Sequence, residues 1–149
     1  MKRKQTDRVK KALDYVKRKL RLDLEFVVLP GEPGEQSGVM EIERSDRGTE
    51  DRKVWIVTFD VNYVSGETAY ALRRHSFHEV LHALTWPLYD EVEAAIRRVP
   101  DNAVRRELIA RSLDARENVV YELERKLGPL VFPMLPWGCL LYTSPSPRD

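Results

Sequence analysis

A single cysteine, Cys139, among 149 residues excludes any disulfide within the chain. It fits a reducing compartment, and the expected location is the cytoplasm. No apolar run approaches the roughly 18 residues a membrane span requires. The opening MKRKQTDRVKK is basic with no apolar stretch behind it, so it does not read as a secretory signal. An excess of one charge is lacking too. Lys plus Arg is 25 against 24 Asp plus Glu, a net charge of +1, which excludes a chain that seeks polyanions as a whole but not a local basic patch. Internal repeats, low-complexity tracts and linkers are missing. What is present is 42% apolar and 33% charged residues, a soluble globular composition. The length suits one domain and falls short of two ordinary ones.

Residues Cys139 to Asp149 (CLLYTSPSPRD) resemble the conceptual translation of a sequencing-library adapter. That resemblance implies one domain over residues 1–138 and a non-native read-through tail over 139–149.

Hydrophobic spacing predicts the elements. Val9, Leu13, Val16 and Leu20 make one apolar stripe of a helix over residues 6–21. Leu24 to Leu29 and Val39 to Glu43 read as strands. Lys53 to Val61 is the strongest strand, with Val54, Ile56, Thr58 and Asp60 on one face and Trp55, Val57, Phe59 and Val61 on the other. Ser65-Gly66 reads as a turn. A helix is expected from Thr68 to Trp86, ended or kinked by Pro87. A short helix follows from Glu91 to Arg98, then a long one from the break at Pro100-Asp101-Asn102 to Leu127, closed by Gly128-Pro129. The class is α+β.

From Met1 to Leu22 ten basic residues face two acids, Asp7 and Asp14, a local net of +8. This reads either as a nucleic-acid or anionic-surface patch or as a solvated amphipathic helix. Seven acids against three bases from Gly31 to Arg52 favour the second reading.

The chemistry concentrates in His75-Ser76-Phe77-His78-Glu79-Val80-Leu81-His82-Ala83-Leu84, which contains His-Glu-x-x-His. Residues i and i+4 lie one turn apart on one helix face, so His78 and His82 can reach a single ion. Glu79 is rotated about 100° from His78, placed to take a proton from a water beside that ion. Neutral imidazoles suit Zn²⁺, one per chain. Phe77, Leu81 and Leu84 form the expected buried stripe. His75 stands about 10 Å from His82 along the axis, too far to share the ion, though able to orient the site or meet substrate.

This region resembles the zincin metallopeptidases, in which a strand precedes a helix bearing the motif. The compact size looks most like the small single-domain forms of bacteria and phages. The resemblance implies a zincin-like fold: an N-terminal helix, a three-stranded sheet, the motif helix and a long C-terminal helix. It also implies that the strand before the motif helix is an edge strand pairing with an extended substrate, through Val54, Trp55, Ile56, Val57 and Thr58. The metzincin subgroup requires Gly and His three and six residues after the second His. Thr85 and Leu88 stand there. The gluzincin pattern uses a Glu from a later helix. The resemblance points to Glu117 within Glu117-Asn118-Val119-Val120-Tyr121, with Glu122, Asp114 and Glu124 as rivals. Tyr121, one turn on, could stabilise a developing oxyanion.

The expected function is zinc-dependent peptide-bond hydrolysis, with His78, His82 and Glu117 as ligands and Glu79 as general base. Its partner is a peptide or protein substrate, with nucleic acid a lesser expectation and no membrane. The alternative is a catalytically silent phage or mobile-element binding protein on the same scaffold. The intact Glu79 argues against it.

Overall fold

The computed structural model describes residues 1–33, 39–49 and 52–133, so the expectation for the tail lies outside the described residues. The fold is a small α+β domain with an N-terminal helix, a three-stranded mixed sheet and long C-terminal helices. In chain order these are α1 (Lys2–Lys19), β1 (Glu25–Pro30), β2 (Met40–Arg44), β3 (Val54–Phe59), α2 (Val61–Gly66), α3 (Ala69–Arg97) and α4 (Asn102–Val131). The chain divides into two compact units, Met1–Ala83 and Leu84–Asp149, with the boundary inside α3.

In the first unit α1 packs along β1 and α2. Its stripe of Val9, Leu13 and Val16 is fully buried, joined by Gln5 and Ala12. Leu20 falls outside the stripe because it is already the C-cap. The helix closes in a Schellman motif: the Leu22 N–H donates to the Lys17 carbonyl and the Arg21 N–H to the Arg18 carbonyl. The motif puts Arg21 at φ 52°, left-handed backbone that glycine would adopt without strain. Arg8 links α1 to α2. Its guanidinium donates to the carbonyls of Val64, at 2.6 Å, and Glu67, while the Val64 carbonyl also accepts the Glu67 N–H at 3.3 Å.

The sheet order is β1-β3-β2. β1 runs parallel to β3, and β2 antiparallel. Both sides of β3 are therefore occupied along its whole length. The expectation that Val54, Trp55, Ile56, Val57 and Thr58 form a substrate-binding edge is overturned, because their backbone groups serve the ladders to β1 and β2. The residue types agree with the observed order. Trp55, Val57 and Phe59 are buried and Val54, Ile56 and Thr58 half-buried, as in a strand covered on both faces. β2 carries Glu41, Glu43 and Arg44, and β1 ends in Pro30, features that edge strands tolerate. Gly31 follows β1 where a Cβ would come within 2.8 Å of Thr58 Cγ2.

Helix boundaries differ from the sequence reading in three places. Asp60 and Val61 are not strand: the Asp60 carboxylate accepts from the Tyr63 N–H at 2.9 Å and starts α2, which includes the expected turn Ser65-Gly66. α3, started by Thr68, whose hydroxyl accepts from Ala71 N–H, runs through Pro87 and takes in the separate helix expected at Glu91 to Arg98. Proline costs its own N–H bond and crowds the carbonyl four residues back, but its fixed φ is a helical one; the helix formers beyond it continue the helix. α4, capped as expected by Asp101 through the Val104 N–H, passes Gly128-Pro129 to Val131. The fully buried Phe132 fixes its end, donating its N–H to the Gly128 carbonyl at 2.8 Å. Among the described residues no helix is long and apolar enough to cross a membrane.

Candidate metal centre

The first unit holds α3 by its apolar side. Leu72, Phe77, Val80 and Leu81 are buried. Val80 thus replaces Leu84, 45% exposed, in the stripe expected from sequence. With that side fixed, His78 and His82 project together from an adjacent face. Their Nε2 atoms stand 3.2 Å apart and their rings meet edge to face at 4.9 Å. Two Zn–N bonds at tetrahedral geometry would separate the nitrogens by about 3.3 Å, so the pair is already set at the ligand–ligand spacing. His82 is 8% exposed and His78 half-buried.

Glu79 is buried at 8% exposure, and its Oε2 accepts a 3.1 Å hydrogen bond from the Ile42 backbone N–H. The register explains the bond. In β2 the ladder to β3 is carried by the odd-numbered positions, as the bonds Ser45 N–H to Val54 carbonyl and Asp60 N–H to Val39 carbonyl show. The Ile42 N–H therefore points out of the sheet edge. Glu79 meets it there, so its carboxylate lies against the outer rim of β2. Sequence reading missed this contact, since nothing in the spacing of Ile42 and Glu79 brings them together.

His78, His82 and Glu117 form a group that could hold a metal ion, one ligand atom from each, all within 4.8 Å of one another. Two imidazole nitrogens and a carboxylate oxygen are a zinc donor set, and they fit such an ion. The rivals are placed otherwise. Glu122 is exposed, and both its oxygens accept from Arg125, at 2.9 and 2.6 Å. Asp114 is exposed and Glu124 buried, and neither belongs to the group. His75 also stands outside it, its ring 6.2 Å from Tyr63 and nearly perpendicular to it. Tyr121 is half-buried, one turn beyond Glu117 on α4.

In the second unit Arg116, next to Glu117, lies over two rings: 4.2 Å from the Trp86 centroid and 4.5 Å from that of Tyr89. The contacts tie α4 to the C-terminal half of α3 within this unit through cation–π attraction. Trp86 and Tyr89, three residues apart on one helix face, were the available sequence signal. Comparison with protein-family models, with curated proteins and with solved structures finds no match to this chain.

Proposed function

We propose that the chain is a zinc-dependent hydrolase of peptide bonds. The observation that carries this reading is the grouping of His78, His82 and Glu117 with a buried Glu79 directly after His78 in sequence. The three residues would hold the ion, which when bound supplies a water acidic near neutral pH and polarises the scissile carbonyl. Glu79, oriented by the Ile42 N–H, takes the proton from the attacking water and passes it to the leaving amine. The edge role expected of β3 passes in this reading to β2, whose outer rim lies beside Glu79.

Incubation of the purified protein with a mixed peptide library, with and without a zinc chelator, tests the reading. Chelator-sensitive cleavage that returns on adding Zn²⁺ is the expected result. A protein that takes up zinc but cleaves nothing, alone or reconstituted, would overturn the hydrolase assignment.

A further inference from the structure

We propose that the solvent-facing side of α1 is a docking surface for the phosphate backbone of a nucleic acid. The inference is independent of the hydrolase reading. The inward side of the helix is accounted for by Val9, Leu13 and Val16, each at most 1% exposed. The outward side presents two rows at seven-residue spacing, Arg3-Lys10-Lys17 and Lys4-Lys11-Arg18, with Asp7 and Asp14 between them; Lys17, at the edge of this side, is half-buried. Successive members of a row are about 10.5 Å apart along the axis.

Three observations separate these cations from ordinary solvated charge. Among the described residues, Arg3, Lys4, Lys10, Lys11 and Lys17 make no ion pair, whereas Arg8 is committed to α2. Lys2, Arg3 and Lys4 occupy the first turn, where no acid is present and Met1 provides no side-chain cap. Cations at that end oppose the helix dipole, so they weaken α1 and do not serve its stability. Finally, an open depression of about 520 Å³ at the start of the helix is lined by Met1, Arg3, Lys4, Asp7, Arg8 and Lys11, four cations against one acid.

A nucleic acid fits better than a lipid surface. The apolar stripe of α1 is spent inside the fold, and its one outward aromatic, Tyr15, is covered by the Arg73 guanidinium at 4.0 Å. The helix therefore has no apolar face to bury between lipids, which interfacial helices need. Regular rows of cations instead suit a polymer with regularly spaced charge.

The test is fluorescence anisotropy of a labelled 20-base-pair DNA duplex titrated with the full chain between 50 and 200 mM KCl. About five phosphate contacts give a log–log salt slope near −4.5, a loss of about 500-fold in affinity over that range. The variant Lys4→Gln/Lys10→Gln/Lys11→Gln/Lys17→Gln should reduce the slope by about 3.6, since four contacts are lost. Its circular dichroism and melting temperature should match the parent, because glutamine is as good a helix former as lysine. Absent binding at 50 mM KCl overturns the proposal. So does a folded variant that binds like the parent, or a parent that binds phosphatidylserine-containing vesicles but not DNA.

Discussion

Glu79 offers the sharpest test of the site, because two substitutions separate its chemical from its structural role. Its carboxylate is buried and accepts from the Ile42 N–H at 3.1 Å. Glu79→Gln keeps an oxygen that can accept the same bond and nearly the same volume, but the amide cannot take a proton from water. The variant should therefore fold and bind zinc like the parent. Its kcat on a cleaved peptide should fall by about 10²- to 10⁴-fold, the range of a general base. Glu79→Ala loses the base and also leaves a buried backbone donor without its acceptor. An orphaned buried donor costs roughly 1–3 kcal/mol. At about 2–4 °C per kcal/mol for a chain of this size, the alanine variant should melt roughly 2–12 °C below the glutamine variant. Both melts should be recorded with chelator present, so that zinc binding does not mask the difference. A glutamine variant with more than a tenth of parental kcat would refute the general-base role. Equal melting of the two variants would refute the claim that the Ile42 bond holds the carboxylate in place.

Removing a metal ligand should cost more than the about 10- to 100-fold in affinity typical of groups that only support ligands. Glu117→Ala should weaken zinc binding in a competitive chelator titration by at least about 100-fold, and Glu122→Ala by less than about threefold; the reverse order would move the ligand to Glu122. Arg8→Met should destabilise the fold by about 2 kcal/mol, read by urea unfolding, because two carbonyls at the end of α2 lose a charged donor; an unchanged midpoint would show that water replaces it without loss. Arg21→Gly should stabilise by about 0.5–1 kcal/mol by relieving left-handed backbone strain at φ 52°, and a lower melting temperature would contradict that. The Tyr63 hydroxyl is held above its ordinary value of 10.0, first by burial and then by the Glu67 charge and hydrogen bond. A raised folded-state pKa gives stability that is complete below pH 10 and lost as pH rises through the folded value. Tyr63→Phe should therefore flatten the fall of the urea midpoint above pH 10, and an identical alkaline profile would exclude this contribution.

Local periodicity by itself located α1, the three strands and the cores of α3 and α4, and paired His78 with His82, but not α2 or the continuity of α3. The four-residue spacing fixes two side chains on one helix face wherever that helix sits. Likewise the stripe of Val9, Leu13 and Val16 decided which side of α1 turns inward, and Asp101 where α4 begins. The order of the strands was legible in principle. The near-continuous apolar run Val54 to Phe59 marks a covered central strand, and the charges of β2 mark an edge. The zincin resemblance implies the opposite, an edge position for β3. Pro87 and Gly128-Pro129 each remove or loosen a local bond, but flanking helix formers and the burial of Phe132 outweigh that loss. Only the tertiary structure could show which carboxylate of α4 groups with the two histidines, and Glu117 is the one that does. On the isolated helix Glu117 and Glu122 border the packed face about equally. Contacts distant in sequence, the burial of Val120 and Glu124 and the stacking of Arg116 on Trp86 and Tyr89, are likewise invisible to local spacing. The meeting of Glu79 with the Ile42 N–H has the same origin, since the direction of a backbone donor at a sheet edge follows from register and not from residue type.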